Sequence, residues 1–525
     1  MISSHFRRTR ISCWILLAFA FAPSYIEAKV VVFWQPGFPT VASTPVNSES
    51  IATALAAVEP EAGSQPVFMN ASTLAAAGTL AGANLLVLPY GSAFPAGAWK
   101  SIEAYLAGGG NLLVLGGQPM RVPVQLVNGA YVAQREQDTY SRAIGFRHTY
   151  EVPVAENASF QWKAGYAWLP ALTIRARRFF TLEGRLDGFG YMADPSGELV
   201  AAPVVVANGW NTAERRMTGG RIVALDFDPE PGYWQTSDGL HLVHQAALYA
   251  IQGAAEFSIE TQYADMRPGE PTQITVHWHS PREERLDIAT KGEVRLELKS
   301  GLKTIATASI PTDAKGRADV DSTLHLQLPA GFYDVSAVYR EDDRPREFYR
   351  NGFWVTDHSA IASGPSLGVH GDFLSKDGKP FFPVGTNYFT TEENGWDFSG
   401  PRNAWVWEKD FAEMEAHAVS FVRTGVWMNN AKFIDPSTGG ANERFLRNVE
   451  AFLLCAQRHR IAVNFTFFAF SPRSGTPETA QTGAGDATST NPYLDPQAVA
   501  AEQAYVRSVA ERFKDVPWLS WDLIN

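Results

Sequence analysis

The most constraining feature of this sequence is the alternation of apolar strands and amphipathic helices between residues 368 and 525. Short runs rich in Val, Phe, Ile and Leu alternate with longer segments of helical periodicity. Such repeats build a (β/α)₈ barrel or an open doubly wound sheet, because parallel strands need crossover connections. The pattern predicts strands at 381–389, 420–427, 461–468 and 518–525, and helices at 407–418, 443–458 and 496–513.

Residues 257–356 have a different periodicity. Six short strands follow one another at a spacing of about ten residues, separated by turn sequences rich in Gly, Pro and Asp. This spacing predicts an antiparallel, immunoglobulin-like β-sandwich. The strands are predicted at 272–278, 293–298, 304–310, 323–328, 333–339 and 348–355.

Residues 29–256 also alternate strands and helices. The apolar runs at 29–34, 84–88 and 111–115 suit buried parallel strands, and the helical pattern at 98–107 ends at Gly108. Further strands are predicted at 204–207 and 221–227, with a last helix at 239–251. We expect an α/β domain with a mostly parallel sheet.

The first 28 residues have the pattern of a secretory signal. Arginines at positions 7, 8 and 10 precede the apolar run 11–21, and small residues end at Ala28. The run is shorter than the about 20 residues of a spanning helix, so cleavage near Ala28 is expected rather than an uncleaved anchor. This predicts a secreted or periplasmic protein without stable membrane insertion.

Composition limits the classes of function. The chain carries a net charge of −11 and has no long basic stripe, which argues against a nucleic-acid partner. Its two cysteines, Cys13 and Cys455, allow neither a disulfide framework nor a cysteine-rich zinc site. His241 and His244 lack an obvious third metal ligand, and His277 and His279 suit a solvated sheet face. We therefore expect neither a metal nor a cofactor.

The last segment holds four strands in about 150 residues, whereas a full barrel has about 250. The sequence is therefore expected to be the N-terminal part of a longer protein, and a small complete four-stranded domain is the alternative. In a barrel the active site lies at the carboxyl ends of the strands. Here those ends lead into the long loops 390–406 and 471–495, and the first carries Glu392, Glu393 and Trp396.

Residues 368–525 resemble the (β/α)₈ glycoside hydrolases of clan A, such as family 5 cellulases and family 2 glycosidases. The likeness rests on three segments in order: Phe-Phe-Pro-Val-Gly-Thr-Asn-Tyr at 381–388, Ser-Phe-Val-Arg at 420–423, and Trp-Leu-Ser-Trp-Asp-Leu-Ile-Asn at 518–525. It implies retaining hydrolysis of a β-linked saccharide by two carboxylates about 5–5.5 Å apart. The acid/base would directly follow Asn525, and the nucleophile would lie farther on, so this polypeptide is expected to be inactive by itself.

The resemblance also implies supporting residues. Arg423 would keep the nucleophile carboxylate ionised, and Asn525 would form a hydrogen bond with the sugar 2-hydroxyl. Asn387 and Tyr388 would line the sugar-binding subsite. The substrate-binding candidates Trp396 and Trp427 offer aromatic faces to sugar rings. A structural ion pair is the alternative role for Arg423, and Asp522 is expected to be a solvated or structural carboxylate.

Residues 29–256 resemble the glutamine-amidotransferase-like domains of some glycosidases, including the trimerisation domain of certain β-galactosidases, and this resemblance implies a flavodoxin-like α/β fold. The likeness rests on 85–89, 99–106 and 109–117. The turn where amidotransferases place a cysteine reads Gly116-Gly117-Gln118-Pro119, so the domain is expected to be non-catalytic and could form a homo-oligomer. A non-catalytic carbohydrate-binding or cell-surface assembly protein on the same folds remains the alternative to a hydrolase. A small-molecule activity of residues 29–256 is a third hypothesis.

Overall fold

The computed structural model describes most of the chain beyond the predicted signal. The described residues are 29–56, 65–146, 149–152, 154, 156–182, 187–211, 216–281, 292–312, 318–324, 326–341, 343–388, 398–426, 433–468, 494 and 496–524. They form a mixed α/β structure of several sheets and few helices. The predicted signal lies outside them. None of the described helices is long and apolar enough to cross a membrane.

The N-terminal unit is built on an eight-stranded sheet with the order β2-β1-β3-β5-β13-β12-β11-β9. Two three-stranded sheets, β14-β10-β8 and β4-β6-β7, lie beside it. The strands are β1 Lys29–Phe33, β2 Val67–Met69, β3 Ala83–Leu88, β4 Ala93–Pro95, β5 Leu112–Leu115, β6 Val122–Val127, β7 Ala130–Ala133, β8 Thr149–Val152, β9 Ser159–Trp162, β10 Ala176–Leu182, β11 Asp187–Ala193, β12 Leu199–Asn211, β13 Arg216–Leu225 and β14 Phe227–Pro229. The helices are α1 Ser48–Leu55, α2 Ala71–Ala75, α3 Trp99–Ala107, α4 Thr139–Ala143 and α5 Ser237–Ile251.

The expectation of a mostly parallel sheet holds for only part of this unit. Strands β2, β1, β3, β5 and β13 are parallel, and β12, β11 and β9 continue the sheet antiparallel. Both faces of the parallel part are buried: Val30 and Val32 face one core, and Val31 and Phe33 face the other. The buried runs were therefore recognisable in the sequence, whereas the glycine-containing strand β11 has no comparable apolar run.

The middle unit contains two sheets that share one core. Their orders are β15-β17-β20 and β16-β22-β21-β18-β19, with antiparallel pairing except between β16 and β22. Alternate residues such as Ile274, Val276 and Trp278 of one sheet and Val294 and Leu296 of the other are buried between them. The strands are β15 Glu256–Thr261, β16 Asp265–Met266, β17 Thr272–His279, β18 Gly292–Ser300, β19 Lys303–Pro311, β20 Ala318–Leu324, β21 Gly331–Glu341 and β22 Arg344–Val355.

The C-terminal unit begins with a small three-stranded sheet and continues as a parallel sheet of four strands in chain order. The small sheet contains β23 Leu367–His370, β24 Phe373–Lys376 and β25 Lys379–Pro380. The parallel strands are β26 Gly385–Asn387, β27 Phe421–Gly425, β28 Ala462–Phe468 and β29 Leu519–Ile524, and the helices are α6 Ala404–Ala416, α7 Glu443–Arg458 and α8 Pro496–Phe513. The first strand is shorter than the predicted 381–389, because residues 381–384 lead out of the small sheet and Phe382 is exposed.

Buried ion pairs join the three units. The Arg221 guanidinium of β13 lies 2.7 Å from a carboxylate oxygen of Glu347 on β22, and it stacks on the Tyr249 ring. Between the middle and C-terminal units, fully buried Glu450 of α7 accepts hydrogen bonds from Arg267 at 2.8 and 3.1 Å. Cations and anions fixed on different units hold these units in one arrangement.

Candidate functional site

One face of the four-stranded parallel sheet is polar and the other is apolar. Val422, Val463 and Phe465 are buried against α6 and α7 on the apolar face. Asn387, Arg423, Asn464 and Ser520 lie side by side in register on neighbouring strands. Because side chains alternate along a strand, these four polar residues face away from the helices. The sheet therefore presents a polar row where an active site would face in a barrel.

The charged part of this face is an ion pair between the second and fourth strands. The Arg423 Nε and Nη2 atoms donate to Asp522 Oδ2 at 2.9 and 2.5 Å, across the intervening strand β28. Thr466 of β28 donates its hydroxyl to the same oxygen at 3.0 Å. About a quarter of each charged side chain remains exposed, 23% for Arg423 and 24% for Asp522. Three adjacent strands thus fix one carboxylate.

This arrangement determines the protonation state of Asp522. Desolvation raises the pKa of the carboxyl, but the hydrogen bonds from Arg423 and Thr466 and the positive charge of Arg423 outweigh it, so the pKa lies below its ordinary value. Asp522 is therefore ionised at neutral pH. It can accept hydrogen bonds, but it has no proton to give to a leaving group.

The amides and hydroxyls of the row extend this face. Ser520 donates its hydroxyl to Asn464 Oδ1 at 3.1 Å, and Asn387 is exposed at the outer strand β26. Sequence analysis missed Asn464 and Thr466. It considered an ion pair for Arg423 and a structural role for Asp522, but it did not identify the two residues as partners. The sequence does contain a pattern that indicates these residues. Polar residues recur at every second position in β28 and in β29, which predicts that they share one face of the sheet.

Tyr388 lies on the opposite side of the sheet from Asn387. Its ring stacks on Phe411 of α6, and its hydroxyl donates to Asp410 at 2.5 Å. Burial, together with the charge of Asp410, raises the pKa of the Tyr388 hydroxyl. Tyr388 thus packs into the helix layer, while Arg423 and Asn387 share the polar face. The other predicted residues, Trp396, Trp427 and Asn525, lie outside the described residues, as do Glu392 and Glu393.

The glycine turn of the N-terminal unit is filled by small side chains. Gly116 and Gly117 both have positive φ. A Cβ on Gly116 would lie 2.3 Å from the Ser43 hydroxyl, and one on Gly117 would lie 2.6 Å from that of Ser92. The turn therefore has no room for the nucleophilic side chain that amidotransferase chemistry needs.

The histidine pairs form no metal centre within the described part of the chain. His244 Nδ1 lies 2.9 Å from the Ala54 carbonyl oxygen, and His279 Nδ1 lies 3.3 Å from a carboxylate oxygen of Glu256. No group of three or more candidate ligands occurs among the described residues.

No family model matches the sequence, and no curated protein matches it. The solved structures similar to parts of the chain include a β-galactosidase from Rahnella sp. R3, with 13% identity and a TM-score of 0.29, which covers 60% of this chain and 41% of that one. A β-galactosidase from the haloarchaeon Halorubrum lacusprofundi has 14% identity and a TM-score of 0.28, with 57% and 40% covered. A glycosyl hydrolase family 2 member from Bacteroides cellulosilyticus has 13% identity and a TM-score of 0.20, with 52% and 30% covered. The chain thus spans at most about two fifths of these three proteins, and TM-scores this low do not indicate a shared overall fold.

Proposed function

We propose that this protein is a glycoside hydrolase that acts on a β-linked oligo- or polysaccharide, with the polar sheet face as part of its substrate cleft. The observation that carries the proposal is the in-register row of Asn387, Arg423 and Asn464, next to the Arg423–Asp522 pair. An array of amide, guanidinium and carboxylate groups on adjacent strands can form hydrogen bonds with neighbouring hydroxyl groups of a sugar. Residues 29–256 and 257–356 are proposed as non-catalytic units, the first as the site of self-association.

The proposed chemistry needs two more carboxylates. Retaining hydrolysis uses a general acid and a nucleophile about 5–5.5 Å apart. Among the described strands of the parallel sheet, Asp522 is the one carboxylate, and its ion pair with Arg423 keeps it ionised. We therefore assign Asp522 a positioning role, and Arg423 the role of fixing charge in the cleft. The acid and the nucleophile belong to residues outside the described set.

A specific observation favours the second candidate, a non-catalytic carbohydrate-binding protein. The charge of the described carboxylate on the polar face is already balanced by Arg423. A face whose charges are mutually satisfied can bind neutral sugars through hydrogen bonds without performing acid–base chemistry. This candidate shares the sugar-binding face with the hydrolase and differs from it only in lacking the catalytic pair.

Reading the native gene at the position after the Asn525 codon separates the two candidates. A Glu codon there, followed by a second Glu at the end of a later predicted strand, supports the hydrolase. A stop codon or a residue without a carboxylate contradicts it and favours the binding protein. Hydrolysis of a panel of aryl β-glycosides by the native gene product then tests the activity itself.

Export through residues 1–28 is part of the proposal. Expression in a host with a secretory pathway, followed by N-terminal sequencing, tests it. We expect the mature protein in the periplasm or medium to begin at Lys29. An intact N-terminus in the cytoplasmic fraction would contradict export.

A further inference from the structure

A cleft of about 650 Å³ lies between the middle unit and the helices of the C-terminal unit. Strands β21 and β22 form one wall, and the start of α6 and the end of α7 form the other. Because α6 and α7 cover the apolar face of the parallel sheet, this cleft is on the far side of the sheet from Arg423. Its volume is in the range of small-molecule sites, about 300–1,000 Å³, and such sites occur preferentially between domains.

Three half-buried aromatic rings line the cleft: Phe332 of β21, Trp354 of β22 and Trp405 of α6. The Phe332 and Trp354 rings meet edge to face with centroids 5.3 Å apart. The Trp354 Nε1 atom donates to the buried Cys455 sulfur at 3.2 Å. These contacts fix the orientation of the rings while part of each ring stays exposed.

Gly352 and Asn403 hold Trp405 of α6 close to the wall formed by β21 and β22. A Cβ on Gly352 would lie 2.6 Å from the Phe332 ring and 2.8 Å from the Trp405 nitrogen, so only glycine permits the approach. Asn403 caps α6 by accepting from the Trp405 backbone N–H at 3.1 Å. The Asn403 side-chain amide also donates to the Arg350 carbonyl oxygen at 2.7 Å. The cleft is thus formed before any ligand enters.

The charged groups of the cleft are organised around these rings. The Arg350 guanidinium lies 4.6 Å from the Trp405 ring centroid and donates to both carboxylate oxygens of Asp334. Arg458 pairs with Glu408 at 3.2 Å. Lys409 is exposed and takes part in no ion pair among the described residues. Three cations thus face two carboxylates, which leaves one positive charge in excess.

We propose that this cleft binds an acidic oligosaccharide, that is, one whose sugar rings carry carboxylate groups. The exposed parts of Phe332 and Trp405 can stack on the apolar C–H faces of pyranose rings. The guanidinium group of Arg350 and the carboxylate group of Asp334 can form hydrogen bonds with the hydroxyl groups of the sugar rings. Lys409 supplies the charge that a uronate needs and a neutral sugar does not. The site is separate from the polar sheet face, and it stands whether or not that face belongs to a hydrolase.

The test is isothermal titration calorimetry of the protein with tri-galacturonate and with the methyl ester of the same trimer. These two probes share ring stereochemistry and differ in charge. We expect the acid to bind more tightly than the ester, and Trp405→Ala to weaken binding of both at least tenfold. Lys409→Gln should weaken binding of the acid by about threefold, in line with one screened surface charge, and leave the ester unchanged.

Lys100→Gln, an exposed lysine of α3, is the matched control and should leave both affinities unchanged. Equal binding of acid and ester, or no binding of either, would overturn the proposal. So would a Lys409→Gln variant that binds the acid as well as the wild type does. The lysine variant keeps the test decisive even if Trp405→Ala fails to fold, because Lys409 is an exposed side chain.

Discussion

Replacing Arg423 by Met tests the polar face most sharply, because it removes the charge and retains much of the side-chain volume. The substitution leaves the Asp522 carboxylate with Thr466 as its described side-chain donor. Breaking a fully buried ion pair costs about 3–5 kcal/mol, and an exposed pair contributes about 0–1 kcal/mol. With roughly three quarters of both side chains buried, we expect a loss of about 2 kcal/mol at pH 7.

Hydrogen exchange measured by mass spectrometry isolates this effect from the other units. A loss of about 2 kcal/mol predicts roughly 30-fold faster exchange of the backbone amides of β27 and β29, since each 1.4 kcal/mol is about tenfold. The penalty should shrink as the pH falls. The lowered pKa of Asp522 means that the pair contributes above the unfolded carboxyl pKa, and that the contribution is lost as pH drops through the folded value.

Asp522→Asn and the double variant complete a thermodynamic cycle with Arg423→Met. If the two residues act as a pair, the double variant should lose less than the sum of the single losses, with a coupling energy of about 1–2 kcal/mol. Single losses below about 0.5 kcal/mol, or strict additivity, would contradict a partly buried, coupled pair, because the two residues would then behave as an exposed salt bridge.

Three further predictions concern buried groups elsewhere. Asp226 is fully buried, its side-chain oxygens have no hydrogen-bond partner among the described residues, and burial raises the pKa of its carboxyl. Asp226→Asn should therefore increase the denaturation midpoint at pH 8 and remove the loss of stability that develops as the pH rises above about 4. An unchanged midpoint would contradict this. Glu450→Gln should cost about 3 kcal/mol by calorimetry, because it removes the fully buried carboxylate that pairs with Arg267 and Arg512 and leaves Asp265 as the remaining carboxylate beside Arg267. A cost under about 1 kcal/mol would be the opposing result. Burial raises the pKa of the Cys455 thiol, so a thiol reagent at pH 7 should label it only in denaturant, and rapid labelling of the native protein would argue against its burial.

The elements predicted best are those with local signals at their ends. Helices α7 and α8 begin and end where the sequence pattern placed them. Asn442 caps α7 by accepting from the Phe445 N–H, and Pro496 suits the first turn of α8. Helix α6 begins at Ala404, three residues earlier than predicted, because the Asn403 side chain caps it by accepting from the Trp405 N–H.

The parts that were not predicted depend on contacts between residues distant in sequence. Arg423 and Asp522 are 99 residues apart, and their pairing requires the strand order β27-β28-β29. The cleft beside Trp405 depends on how two units pack, which no pattern within either unit encodes. Local periodicity therefore predicted where the buried parallel strands lie, and the resemblance directed attention to Arg423, but neither could identify its partner.

We propose that the polar sheet face serves glycoside hydrolysis. The most direct measurement is hydrolysis of a panel of aryl β-glycosides by the protein expressed from its complete native gene, with the configuration of the first product read by proton NMR. We expect turnover of at least one glycoside with retained configuration, and a loss of at least 100-fold in kcat/KM for the folded Arg423→Met variant. Absence of turnover across the panel, or full activity of folded Arg423→Met, would contradict it.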